Sequence, residues 1–156
     1  EKSLENFFYV EIILKIFPKA KFINTSRNTA DNILAIFQQF LSKISWSHSL
    51  EDILEYTNNY LTIIKFFKKK YPNQILSVKL EELTFNKEEI AKNIYKFCGL
   101  EWDKKALEFY KRKDLFTSTA SNLQIRNGLH NYDKNKYRPY YYLLKNFQDK
   151  YEWLNQ

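Results

Sequence analysis

Glycine and proline are nearly missing from this chain, which has two glycines and three prolines in 156 residues. A loop that wraps phosphate with backbone N–H groups needs several glycines close together, so neither common glycine-rich phosphate motif is present. Cysteine occurs once, at Cys98. That excludes a disulfide within the chain, and its place in an amphipathic helix pattern reads as a small apolar residue. Methionine is absent, so Glu1 is not an intact translation start and the chain is expected to be a piece of a longer one. The compartment stays open, with the cytosol favoured. Apolar runs are short and broken by Lys or Asn, and the start lacks the charged-then-apolar order of a signal peptide, which excludes a spanning helix.

What is present bounds the rest. An apolar fraction of 44% and an aromatic fraction of 18% are those of a globular chain, expected as a single domain over residues 1–156. The formal net charge of +7 points to an anionic partner: nucleotide, nucleic acid, sulfated polymer or acidic peptide.

Periodicity places the elements. Glu1–Ile16 sets Phe8, Ile12 and Ile16, with Val10, Ile13 and Leu14 beside them, on a broad apolar stripe, predicting a helix that buries this face and ends at Pro18. Lys21–Asn24 reads as a short buried strand. Asn28 or Thr29 can cap the next helix, with Asp31 in its first turn and Ile33, Ile36, Phe37, Phe40 and Leu41 toward the core. Ser42–His48 has no period and reads as a loop carrying Trp46 and His48; the histidine lacks a second ligand at metal-like spacing and reads as solvated. Ser49 opens a helix with Ile53, Tyr56, Tyr60, Ile63, Ile64 and Phe67 on one face, and its Lys68–Lys70 end reads as a solvated helix terminus. A second strand follows over Ile75–Leu80. Asn86 and Glu89 have the form of a capping box before a helix that stops at Gly99, and a short helix follows from Trp102 to Tyr110. Pro139 starts a final amphipathic helix over Tyr140–Leu154. The order strand, helix, helix, strand, helix is that of an α/β fold with parallel strands, although only two strands are evident.

Two stretches carry candidate chemistry. In Ala20–Asn32 a strand leads through Ser26-Arg27 into a helix start, where backbone N–H groups and the helix dipole already favour an anion. Arg27 therefore reads as a phosphate ligand, and its alternative is a surface arginine paired with Asp31. Phe116–Arg138 is rich in hydroxyl and amide side chains and punctuated by Arg126, Lys136 and Arg138, the composition of a loop that wraps an anionic ligand. A solvated loop is the alternative.

As a set, these residues resemble the sulfotransferases that use 3′-phosphoadenosine 5′-phosphosulfate, especially the bacterial kind often fused to tetratricopeptide repeats and the tyrosylprotein sulfotransferases. Glu1-Lys2 followed by Asn6-Phe7 is similar to the family's Asp-Lys-x-Pro-x-Asn-Phe. Phe17-Pro18-Lys19-Ala20 leading to Ile23 resembles its approach strand, and Arg27–Asp31 its Arg-Asp-Pro-Arg-Asp. Leu80–Leu83 resembles Tyr-Glu-x-Leu, and Phe97–Trp102 resembles Phe-x-Gly-Leu-x-Trp. Thr119–Arg126 resembles Thr-Ala-Ser-x-x-Gln-Val-Arg, and Lys136–Tyr140 resembles Arg-Trp-Arg-x-Tyr.

The resemblance implies an incomplete P-loop-kinase-like three-layer α/β fold, mostly helical with a small parallel sheet, and a metal-independent transfer of a sulfuryl group to a hydroxyl or amine. It implies a donor site in which Arg27 binds the 3′-phosphate while Ser121, Asn122, Gln124, Arg126, Lys136 and Arg138 close over the nucleotide. Lys2 is carried over as a stabiliser of charge on the bridging oxygen, with Ser121 as a hydrogen-bond donor to the same region. In-line positioning and charge neutralisation are the chief needs of such a transfer. Ala35 stands where the family usually has a serine that also binds the 3′-phosphate, and Leu80 replaces a tyrosine. The family's 5′-phosphosulfate loop and its usual base fall before Glu1, which implies weak donor binding and slow or no transfer by this chain alone. A member kept for protein contacts is one alternative. A basic module for nucleic acid or a sulfated polymer is another, against which the scattered lysines count.

Overall fold

The computed structural model describes residues 2–39, 41–112 and 126–155. A 3-10 turn at Asn6–Tyr9 leads into α1 (Val10–Ile16), which is followed by β1 (Phe22–Ser26), α2 (Thr29–Gln39), α3 (Leu50–Lys70), β2 (Ile75–Lys79), α4 (Leu80–Phe85) and α5 (Lys87–Cys98). Further 3-10 segments cover Ser45–Ser47, Lys104–Lys111, Arg138–Phe147 and Glu152–Asn155. The strands pair in parallel, with Phe22 opposite Ile75 and Ser26 opposite Lys79. A parallel pair needs a crossover, which α2 and α3 supply. This is the mostly helical α/β arrangement with a small parallel sheet that the sequence predicts.

Local chemistry explains the helix limits. The Asn28 side chain accepts the Asp31 N–H at 3.0 Å, and Ser49 Oγ accepts the Asp52 N–H at 3.1 Å, so each caps the helix it precedes. Glu51 and Asp52 suit the positive end of α3 and Lys68–Lys70 its negative end. At Gly99 a φ of 71° closes α5 in the left-handed conformation that glycine adopts freely. Asn86 makes no side-chain cap bond, so the capping-box form is not used and only its carbonyl engages Ile90. The C-terminal segment is 3-10 in two pieces rather than one α-helix, with Pro139 at its start as predicted.

Two cores form. Ile33, Leu34 and Ala35 of α2 pack with Ile53 and Leu54 of α3 and with Tyr137, Leu144 and Tyr151 from the C-terminal segment. Val10, Phe67 and Ile75 form the second, with Leu14, Phe22, Ile63 and Tyr71 around them. Full burial of Ile33, Ile53 or Leu54 stabilises by about 1.5–3 kcal/mol each. The Phe8, Ile12 and Ile16 stripe is not the buried face of the first helix: these residues are 45%, 55% and 63% exposed. Residues two apart on a helix lie about 200° apart. Val10 and Leu14, set against Phe67 and Ile75, therefore turn Ile12 outward. Phe37 likewise faces out, with Leu34 and Ala35 taking the core side of α2. Leu41 follows the end of α2, and Phe40 lies outside the described residues.

Candidate functional site

The parallel register brings the carboxyl ends of both strands together, the usual place for a ligand in an open α/β sheet. Arg27 leaves β1 there and turns back onto the start of α2. Its Nε donates to Asn32 Oδ1 at 3.2 Å and Nη2 to the Asp31 carbonyl at 3.4 Å, while Cζ lies 5.8 Å from the Tyr137 ring centroid. The guanidinium is held on one edge and lies within cation–π range of the Tyr137 ring. Among the described residues Nη1 makes no hydrogen bond, so the outer edge is open to an anion.

Asp31 is not the ion-pair partner of Arg27 that the alternative reading proposes. It is 1% exposed and receives two phenols: Tyr132 donates to Oδ2, and Tyr141 donates to Oδ1 at 2.7 Å. A buried carboxylate is costly unless its lone pairs are met, and these hydroxyls meet them. Burial, then the Asp31 carboxylate, pushes the Tyr141 hydroxyl up to about 12 and raises Tyr132 further. The two tyrosines strap the 132–141 stretch across the helix start.

Glu81, at the carboxyl end of β2, closes the other side. Its Oε1 accepts the Asn28 N–H at 2.6 Å, and its Oε2 is buried without a hydrogen-bond partner among the described residues. Thr84 Oγ1 accepts the Tyr132 N–H at 3.2 Å, and Lys87 Nζ donates to the Leu129 carbonyl at 2.6 Å, which ties the strap to α4 and α5. With the N–H groups of Asn28, Asp31 and Asn32 occupied, those of Thr29 and Ala30 have no protein acceptor among the described residues.

The other expected residues divide. Lys136 Nζ lies 5.1 Å from the ring centroid of Tyr137, the ring that Arg27 also approaches, and the charge of Arg138 is felt at Tyr141; neither makes a hydrogen bond or ion pair with Arg27 among the described residues. Arg126 donates to the Arg112 carbonyl. Lys2 is exposed ahead of the first turn, with no hydrogen bond or ion pair to the Arg27 group among the described residues. Ser121, Asn122 and Gln124 lie outside the described residues. Ala35 is 6% exposed inside the first core. Trp46, read as part of a loop, stacks on Tyr56 with centroids 3.8 Å apart, and Ser47 beside it is buried. The roles of Asp31, Tyr132, Tyr141 and Glu81 were beyond sequence reasoning, since their partners lie far away in the chain.

An α/β fold with a basic site at the strand carboxyl ends and a helix start is the class defined so far. The chain matches the Sulfotransferase family over residues 1–104 and belongs to that family, whose members are transferases with a P-loop-kinase-like α/β fold. It is also 34% identical over 144 residues to an uncharacterized protein of Aquifex aeolicus (strain VF5), a match covering 90% of this chain and 19% of that protein. The chain thus spans about a fifth of the length of that relative.

Proposed function

We propose that this chain contributes the 3′-phosphate half of a donor site for sulfuryl transfer from 3′-phosphoadenosine 5′-phosphosulfate to a hydroxyl or amine, leaving adenosine 3′,5′-bisphosphate. The observation that carries the reading is the setting of Arg27. One guanidinium edge is held by Asn32 and the Asp31 carbonyl, and the other is open beside the helix start, where the Thr29 and Ala30 N–H groups add to the positive end of α2. The guanidinium edge and these N–H groups supply the donors a phosphate needs, and the Glu81 carboxylate, held by the Asn28 N–H, is the anion that their positive charge must outweigh. The donor supplies the activated sulfuryl group. Arg27 binds and orients its far end, and Lys136 and Arg138 on the strap add positive charge on the Tyr137 side. Lys2 is assigned to the sulfuryl end, where its ammonium offsets charge on the leaving oxygen, and Ser121 is assigned as a donor there. Asn122, Gln124 and Arg126 are assigned to the nucleotide.

Calorimetric titration of the protein with adenosine 3′,5′-bisphosphate and with adenosine 5′-monophosphate tests this. The 3′-phosphorylated nucleotide is expected to bind more tightly, and Arg27→Ala to abolish the difference. Equal affinities in the unaltered protein, or an unchanged preference in Arg27→Ala, would overturn the reading. A generic polyanion module instead predicts a steep salt dependence without that preference.

A further inference from the structure

The opposite end of the sheet gathers a surface that the donor site does not use. Because the strands are parallel, the turns that enter them sit side by side. Lys21 Nζ donates to the Asn73 carbonyl at 2.7 Å, and the Phe22 N–H donates to the Gln74 carbonyl at 2.7 Å. Across the same junction Glu11, on α1, pairs with Lys70 and accepts the Tyr71 hydroxyl at 3.1 Å. Lys21 also stands 4.9 Å from the Phe97 ring centroid, which draws in the end of α5. The C-termini of α1, α3 and α5 thus share one end of the molecule.

That end combines two features that water alone does not favour together. Lys15, Lys19, Lys65, Lys68, Lys69 and Lys70 crowd it, and the carboxylate facing them from α1, Glu11, is already committed to Lys70; Glu101 follows the end of α5. Between them, Ile16 and Phe17 are each 63% exposed, Phe66 56% and Leu100 60%. A hollow of about 500 Å³ lies between α1 and the end of α3, lined by Glu11, Leu14, Lys15, Pro18, Lys70, Tyr71 and Gln74. In sequence the Lys68–Lys70 run reads as an ordinary solvated helix end; the parallel strands put it at the same end of the sheet as the exposed apolar residues that finish α1 and follow α5, and Lys70 stands 5.5 Å from the Phe66 ring centroid.

We propose that this end is a docking surface for an anionic lipid bilayer, with Ile16, Phe17, Phe66 and Leu100 entering the headgroup boundary and the lysines ringing them. Exposed apolar tips ringed by lysines fit a lipid surface, where the tips enter the headgroup boundary while the ammonium groups stay in water. The cations are lysines, compact point charges suited to a diffuse anionic plane, where forked guanidinium recognition is not needed. Each lysine near such a surface is worth roughly fivefold in partitioning, and exposed apolar side chains add to it. The contact leaves the Arg27 site facing away from the bilayer, and it does not depend on what that site binds.

Co-sedimentation with vesicles tests the proposal, using phosphatidylcholine alone and phosphatidylcholine containing about one-third phosphatidylserine, at about 0.1 M salt. Binding is expected only to the anionic vesicles. Lys68→Glu with Lys69→Glu should weaken it by at least about tenfold. Phe17→Ser with Phe66→Ser should weaken it several-fold, and reversal of Lys134 and Lys145, outside this end, should leave it nearly intact. All of these side chains are largely exposed, and thermal melting by circular dichroism verifies that each variant is folded. Binding equally reduced by the Lys134 and Lys145 reversals would overturn the proposal. So would heparin or duplex DNA binding sensitive to Lys68 and Lys69 without vesicle binding, or a dimer dissociated by the Phe17 and Phe66 changes in place of it.

Discussion

The Tyr141 hydroxyl donates to the carboxylate of Asp31 at 2.7 Å across a separation of 110 residues, and that bond joins the last segment of the chain to the start of α2. Tyr132 donates to the other oxygen of the same carboxylate. One buried anion therefore fixes the strap that carries Lys136 and Arg138 and the Tyr137 ring that Arg27 approaches.

Removing that anion should loosen the strap. Hydrogen bonds to a charged group are worth about 1.5–3 kcal/mol each, so Asp31→Ala, which orphans both phenols, should cost about 3 kcal/mol or more in urea denaturation. Tyr141→Phe should cost less. The double variant should cost less than the sum of the two, because the bond is lost only once. Strict additivity would sink the idea that Asp31 and Tyr141 act as a unit.

The same bonds predict an alkaline transition. Tyr141 is raised to about 12, so between its ordinary value near 10 and about 12 the unfolded chain releases this proton while the folded chain holds it. The contribution to stability is therefore complete below about pH 10 and is lost as pH rises through about 12. Tyrosinate absorbance should show late-titrating phenols in the folded protein, fewer of them in Tyr132→Phe and Tyr141→Phe. A titration in which both variants lose only early phenols would contradict this.

Arg27→Lys keeps the charge but loses the fork that Asn32 and the Asp31 carbonyl hold. Adenosine 3′,5′-bisphosphate should bind about tenfold or more weakly to it, nearly as weakly as to Arg27→Ala. An affinity close to that of the unaltered protein would show that charge alone is recognised.

The two glycines should differ. At Gly99, φ is 71° and an added Cβ meets nothing within 4 Å, so Gly99→Ala should cost only the left-handed strain, about 1–2 kcal/mol. At Gly128, φ is 74° and the Cβ would sit 3.2 Å from Tyr110 Cδ1, so Gly128→Ala should cost more unless that ring moves aside. Thermal melting of both variants decides the order.

Much of this was legible from local chemistry. Asn28 and Ser49 as caps, Gly99 as a stop, Pro139 at a segment start and two apolar runs as parallel strands rest on interactions within a few residues, which spacing displays directly. Arg27 at a helix start was legible for the same reason. The buried stripe of α1 was not: apolar side chains occupy more than one face, and only packing against Phe67 and Ile75 selects Val10 and Leu14. Asn86 shows the reverse limit, since it had the pattern of a cap without the geometry.

The sequence by itself determined the fold class, the order of elements, the basic character and the position of Arg27, because periodicity, capping and charge are local properties. Tertiary structure alone decided that Asp31 belongs to Tyr132 and Tyr141, that Glu81 braces Asn28, and that lysines and apolar tips from separate elements meet at one end. Those outcomes depend on burial and on contacts between distant segments. A carboxylate chooses its partner by what surrounds it once water is excluded.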